Sequence, residues 1–337
     1  MTLHADVRVR RWLLISAVAV VLAVAIGGIT RLTESGLSIT EWKPVSGILP
    51  PMSDADWREA YASYLTIPEA LTVHQGITLG QFQSLYWWEW VHRLLARLVG
   101  LVLAVPYFWL LVRGQIRSTH RARLLLLPIL AAAQGVLGWY MVKSGLEVRT
   151  DVSPYRLTAH LGIALIIYMV CVWTALDLGA RPAAHAPAPR TLRRAIVLGV
   201  VLTIVTVLSG GFVAGLDAGK IFNTFPLMGG HVVPPGYLVP QTGWRNAFEN
   251  PTAAQFHHRV LALSTAALLL ALTFAARRAA VSPRLLQATN AAGLTVVLQL
   301  TLGITTLLLG VPVVMGVLHQ VTALAVLTAM LVAKHRT

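Results

Sequence analysis

The sequence predicts an all-α integral membrane protein: eight transmembrane helices forming two four-helix bundles related by a pseudo-twofold axis. Three observations lead there. The 337 residues are 56% hydrophobic and only 12% charged, with a mean hydropathy of +0.69, a balance that belongs to membrane proteins. Eight apolar runs reach spanning length. An ordered set of short motifs occurs twice. The formal net charge of +14 does not point to nucleic acid, because the basic residues lie mostly in short loops between apolar runs.

The runs lie at about 12–30, 84–112, 123–142, 156–178, 195–215, 253–276, 285–309 and 312–333. The second is long and is expected to begin as a helix above the bilayer. The first has two marks of a signal peptide, the basic flank Arg10-Arg11 and the small-residue site Ala23-Val24-Ala25. It is long for a signal core, however, and it runs into Gly27-Gly28-Ile29-Thr30-Arg31, which has a counterpart later in the chain. It is therefore read as a span. With the N-terminus placed in the cytoplasm, sixteen of the 27 Lys and Arg residues fall on that side, including Arg181, and eight on the other, including Arg149. Arg93, Arg97 and Arg259 lie within spans. The bias fits the positive-inside rule and puts both termini in the cytoplasm.

The internal repeat preserves order throughout. Gly27-Gly28 and Gly36-Leu37 echo Gly210-Gly211 and Gly215-Leu216; Glu89 to Arg93 (EWVHR) echoes Gln255 to Arg259 (QFHHR); Gln134 to Gly138 echoes Gln299 to Gly303; His160 echoes His319. The offsets are 183, 166, 165 and 159, drifting with loop length. Four spans per half is an even number, so both halves, 1–180 and 190–337, have one orientation and their twofold axis runs along the membrane normal. The long outward loops, 31–83 and 216–252, carry Trp42, Pro44, Pro50-Pro51, Pro226, Pro234-Pro235 and Trp244. They are too ordered in composition for disordered tails and suit a lid over a site near that face.

The candidate site rests on four histidines. His92, His160, His258 and His319 each sit in an apolar span, roughly 8–12 Å from its outward end at 1.5 Å per residue. An ionisable residue in a span usually has a partner or a task. In each half, two facing helices supply one imidazole each, enough to ligate one haem iron from above and below. A polar histidine bonding a neighbouring helix is the competing reading for any one of them, and the repeat weighs against it for four. Zinc is less attractive, because carboxylates and thiolates do not surround both pairs. His257 points about 100° away from His258 and suits packing or support of its neighbour. His74 and His231 lie in outward loops, and His4, His120, His185 and His335 on the cytoplasmic side. Cys171, the sole cysteine, lies in an apolar run, so an internal disulfide is impossible and packing is its expected role.

Arg93 and Arg259 directly follow ligand histidines, and Arg97 lies one turn beyond Arg93. Haem propionates are natural partners for these guanidinium groups. Snorkelling to the interface, bonding helix carbonyls, or an i,i+4 pair between Arg93 and Glu89 are the alternatives. The halves differ at one informative place: Glu89 stands three residues before His92, and Gln255 three before His258. Both spacings put the side chain on the histidine's face. A titratable group beside one pair assigns chemistry to the N-terminal half and a permanent cofactor to the C-terminal half, unless Glu89 serves only to pair with Arg93 or Arg97.

These residues together resemble the haem A synthase family, bacterial and mitochondrial, over essentially the whole chain. The resemblance runs through Gly27 to Pro51, Glu89 to Arg93, Gly138 to Leu146, Asn223 to Met228, Gln255 to Arg259, Gln299 to Leu307 and Val311 to Gln320. It implies a membrane oxidoreductase that converts the C8 methyl group of haem O to a formyl group, giving haem A for terminal oxidases. It implies haem b as cofactor on His258 and His319, with His92 and His160 flanking the substrate haem, near the periplasmic side of an inner membrane. Glu89 matches the family's acidic residue, as proton acceptor or as stabiliser of positive charge at the oxidised carbon. Some members carry a cysteine pair in the first outward loop. This chain resembles the cysteine-free type, so no mechanism needing that pair operates here. The expected partners are haem O, the lipid bilayer, an electron acceptor and a haem O synthase; a homo-oligomer stays open.

Two other classes compete on the residues alone. A di-haem electron carrier commonly needs two histidines about two haem layers apart on one helix, and no span here has that spacing. A transporter would place polar residues near the midplane at broken helices, whereas these histidines lie near one face.

Overall fold

The computed structural model describes residues 2–43, 46–147, 152–179, 187–279 and 281–337. Expectations for Pro44, Arg149, Arg181 and His185 fall outside the described residues. The long helices are α1 (Thr2–Leu32), α4 (Leu79–Val112), α5 (Ser118–Glu147), α6 (Pro154–Asp177), α7 (Arg190–Gly215), α9 (Pro251–Arg278), α10 (Pro283–Leu308) and α11 (Val313–His335). Among the described residues these eight are long and apolar enough to cross a membrane. One connection contains the short helices α2 (Asp54–Tyr64) and α3 (Pro68–Thr72), and another contains α8 (Asn246–Glu249). No strand forms among the described residues beyond an isolated bridge between Met228 and His231.

Local chemistry sets the starts of these helices. Proline at the first turn and a flanking polar residue open α6, α9 and α10: Asn250 accepts from the Thr252 amide, and Ser282 from the Leu285 amide. A capping box between Thr78 and Gln81 starts α4 several residues before its apolar run. That extension buries Phe82 and Tyr86 against Tyr64, Ile67 and Leu37 of the preceding connection, a small aromatic core beyond the apolar run. That core covers the first turns of the helix, the part expected from the sequence to stand above the bilayer. At the other end α1 starts earlier than its apolar run, because Val9 and Trp12 are buried and Asp6 pairs with Arg117.

The first four long helices pack together: α1 on α4 and α6, and α5 on α4 and α6. The last four do likewise: α7 on α9 and α11, and α10 on α9 and α11. Between these groups α1 meets α11 and α6 meets α7. Glycines set those approaches. A Cβ on Gly28 would lie 2.2 Å from the Gln320 side chain, and one on Gly211 would lie 3.4 Å from the Leu161 side chain. Gly28 and Gly211, and Leu161 and Gln320, are positions that the repeat pairs. Small residues at helix crossings are the usual means of close packing in a membrane. Cys171 is buried in the core of the first group, in keeping with a packing role.

Two loops close the end of the bundle where α1 and α7 finish; we call this the loop end. There Arg31 binds Asp217 at 2.5 Å, and Lys220 bridges Asp217 at 3.2 Å and Glu34 at 3.6 Å. Glu34 and Asp217 both take left-handed backbone conformations, with φ of 54° and 49°. Burial works against the charge on Asp217, but Arg31 and Lys220 outweigh it and hold the carboxyl below its ordinary value.

Candidate active site

Each of the four histidines packs against a glycine of a neighbouring helix. A Cβ on Gly27 of α1 would lie 3.0 Å from Cε1 of His92 on α4, and one on Gly138 of α5 would lie 3.3 Å from Cε1 of His160 on α6. In the second half, a Cβ on Gly210 of α7 would lie 3.2 Å from Cε1 of His258 on α9, and one on Gly303 of α10 would lie 2.7 Å from Cε1 of His319 on α11. The repeat pairs Gly27 with Gly210, Gly138 with Gly303, His92 with His258, and His160 with His319. The same ring contact is thus built at matched positions of both halves.

The polar surroundings of the rings differ. His92 and His160 have buried Nδ1 atoms with no hydrogen-bond partner. His258 Nδ1 lies 2.8 Å from Ser209 Oγ, and His319 Nδ1 lies 3.2 Å from the Gln299 carbonyl. All four residues are half-buried, so each ring keeps a face that a ligand can reach. Among the described residues no three His, Cys, Asp or Glu side chains cluster as a metal site. Two imidazoles suit a metal that brings most of its own ligands, and a porphyrin iron, with four ring nitrogens, needs only two more. The donor set therefore fits haem.

The arginines do something that neither their spacing nor their charge announced. Arg93 donates through Nη2 to the Ile39 carbonyl at 2.7 Å and through Nη1 to the Glu41 carbonyl at 3.0 Å. Arg259 donates through Nη2 to the Phe222 carbonyl at 2.6 Å and through Nη1 to the Thr224 carbonyl at 2.7 Å. Ile39 and Phe222, and Glu41 and Thr224, are again related by the first repeat offset. Arg97 donates to the Lys43 carbonyl at 3.0 Å. Propionates, snorkelling, helix carbonyls and an Arg93–Glu89 pair are the readings the sequence leaves open; in the structure the guanidinium groups of Arg93 and Arg259 both donate to loop carbonyls. Each guanidinium fork ties a loop segment to the helix that carries a candidate ligand, one residue from that ligand.

Glu89 and Gln255 occupy the same register and are almost fully buried, at 3% and 2% exposure. Their partners differ. Glu89 accepts from Arg93 Nε at 2.5 Å, the i,i+4 pair that was one of the open readings. Gln255 Nε2 donates to the Phe222 carbonyl at 3.1 Å, while its own Oε1 and the Nε of Arg259 are left without partners. The first half thus joins a carboxylate to the loop clamp, and the second half does not. His257 bonds the Tyr237 hydroxyl at 3.1 Å, facing a loop, which agrees with a packing or supporting role. His74 bonds Tyr64 at 2.6 Å, and His335 bonds Asp177 at 3.0 Å, partners that lay too far away in sequence to foresee.

The chain matches the COX15-CtaA family, described as cytochrome oxidase assembly protein, over residues 10–331. It is 44% identical over 321 residues to the heme A synthase of Sinorhizobium medicae (strain WSM419), covering 95% of this chain and 87% of that protein. It is 43% identical over 342 residues to the heme A synthase of Rhodopseudomonas palustris (strain BisB5), covering 97% and 92%. The heme A synthase of Nitrosospira multiformis is 41% identical over 327 residues, covering 96% and 92%. Matches of this extent, running through both histidine pairs and both clamped loops, establish that the chain belongs to the COX15-CtaA family.

Proposed function

We propose that the protein oxidises the C8 methyl group of haem O to a formyl group, giving haem A for a terminal oxidase. The supporting observation is the matched set of four glycine-seated histidines, with Glu89 in one half exchanged for Gln255 in the other. In this reading 1–180 and 190–337 are two halves related by a twofold axis along the membrane normal. His92 and His160 would flank the substrate haem, and His258 and His319 would hold a resident haem b. The loop end faces the periplasm and both termini face the cytoplasm, as the distribution of basic residues favours.

The conversion of methyl to formyl takes up one water and releases four protons and four electrons, by way of an alcohol and a hydrated aldehyde, and the electrons pass to an acceptor outside the chain. A haem b on His258 and His319 supplies a one-electron redox centre when bound. The chain's own residues do the rest. His92 and His160 hold the substrate haem between α4 and α6. Glu89, three residues from His92 on the same helix face, accepts a proton or stabilises positive charge at the reacting carbon. Arg93 holds Glu89 and the Ile39–Glu41 backbone in one assembly, so that the carboxylate and the loop are placed together. Arg259 fixes the corresponding loop of the other half without a carboxylate. This is the arrangement a site needs when it holds its cofactor and does no proton chemistry.

The test is extraction and chromatography of haems from cells supplied with haem O, with and without this protein. Haem A is expected only when the protein is present. A low-spin haem spectrum with no haem A formed would replace the enzyme with a di-haem electron carrier.

A further inference from the structure

The two halves hold their imidazoles by different means, and the chain contains the reason. Ser209 Oγ lies 2.8 Å from the Thr206 carbonyl and 2.8 Å from His258 Nδ1. A carbonyl only accepts, so the serine hydrogen goes to Thr206, and the serine oxygen accepts from His258 Nδ1–H. The His319 Nδ1 likewise faces a carbonyl, that of Gln299, and must carry its hydrogen. Both rings of the second half are thereby fixed in the Nδ1–H tautomer, which leaves the Nε2 lone pair for a metal. Gln299 Nε2, 3.4 Å from His319 Nε2, donates to that same lone pair when no metal holds it.

The first half has no such restraint. The repeat position of Ser209 is Ile26: Ser209 precedes Gly210, the glycine beneath His258, and Ile26 precedes Gly27, the glycine beneath His92. An isoleucine side chain can neither accept nor donate. Accordingly His92 Nδ1 is buried with no partner. His160 Nδ1, seated elsewhere on Gly138, is also unpartnered. Gln134, which pairs with Gln299 in the repeat, sends its Nε2 to the His160 carbonyl at 3.1 Å and leaves its Oε1 unused.

We propose that Ser209 is a positioning residue that makes the C-terminal cofactor permanent, and that Ile26 at the matched position keeps the N-terminal site exchangeable. An imidazole that donates from Nδ1 is held against rotation and is a more basic ligand, so it binds iron more tightly. A synthase must release its product haem from one site while retaining haem from the other. The serine-to-isoleucine difference gives His258 and His92 opposite restraints on a shared scaffold. The inference rests on the proposed assignment of His258 and His319 to haem b.

The test uses the full-length protein, purified in detergent with its haem b. Transfer of haem to excess apomyoglobin is timed, and the reduction potential is measured. Ser209→Ala is expected to speed transfer by about 10-fold or more, the usual effect of removing such a partner. It is also expected to raise the potential, because a less basic imidazole stabilises ferric iron less. Ser209→Thr should restore both readouts, and Ser209→Cys, similar in shape but a poor acceptor, should fall between. Ile26→Ser should slow transfer of added haem O from the first half. Wild-type transfer and potential in Ser209→Ala would overturn the proposal. Retention of haem b by His258→Ala would instead overturn the ligand assignment beneath it, so the two failures are told apart.

Discussion

Arg93 Nε sits 2.5 Å from Glu89 Oε1, with the carboxylate buried and the arginine largely covered. The remaining nitrogens of the same guanidinium hold the Ile39 and Glu41 carbonyls. A buried carboxylate that has lost its cation is costly. The pair therefore couples the placement of Glu89 to the closure of the loop, and a change at either residue reaches the other. Glu89→Gln reproduces the situation at Gln255. It should leave haem b in place while product formation falls by about 10²–10⁴-fold, the range for loss of an acid–base group. The check is haem A yield beside the haem b spectrum of the same preparation. Normal yield would remove Glu89 from the chemistry and leave it a structural partner of Arg93.

The arginine clamps predict a defect of a different kind. Arg93→Lys keeps a positive charge for Glu89 but lacks the planar fork that reaches two carbonyls at once. The segment around 39–43 should then become a site of rapid proteolytic nicking, while the α9 side, held by Arg259, stays resistant. Arg259→Lys should show the reverse. Equal cleavage of both loops in either variant would mean that the loops are held elsewhere.

Much of this was legible in the sequence, for physical reasons that differ by feature. The eight spans were visible because lipid demands long apolar helices, and the repeat because motif order survives loop drift. The four histidines stood out as rare polar groups in apolar runs. The ends were harder to read: α4 reaches back to Leu79 because of a capping box and a buried aromatic pair, Phe82 and Tyr86, not because of hydropathy. The loop-carbonyl partners of Arg93 and Arg259 were invisible, since a backbone carbonyl is the same in every residue. Ser209 looked like any polar residue in a helix. The glycine seats, by contrast, were within reach, because Gly27, Gly138, Gly210 and Gly303 all belong to the motifs that recur.

Those seats make a graded prediction. Clearance beneath the ring rises from 2.7 Å at Gly303 through 3.0 Å at Gly27 and 3.2 Å at Gly210 to 3.3 Å at Gly138. A methyl group at the tightest seat must push the imidazole aside, and overpacking of this kind costs about 1–3 kcal/mol. Gly303→Ala should therefore lose most haem b, and Gly210→Ala less. Gly27→Ala should impair product formation more than Gly138→Ala while leaving haem b unchanged. The measurement is haem b absorbance per protein together with haem A yield for all four variants; an order unrelated to clearance would mean that the rings are not seated as described.

The last prediction concerns the junction at the loop end, where Asp217 of the second half binds Arg31 of the first. Lys220 also contacts Asp217 and Glu34, and His74 approaches Glu34 at 3.6 Å. Arg31 and Lys220 depress the Asp217 carboxyl despite its burial. A depressed carboxyl stabilises the folded state above its unfolded pKa, near 3.9, and the benefit is lost as pH falls through the lower folded value. The side chain remains 36% exposed, so solvent screening limits the gain to about 1 kcal/mol at neutral pH. Asp217→Asn should lower the thermal midpoint of the detergent-solubilised protein by a similar amount from pH 8 to pH 5. The gap to wild type should narrow only below about pH 4, and high salt should shrink it throughout. A gap that closes between pH 7 and pH 5 instead would mean that the Asp217 carboxylate is not the source of the effect.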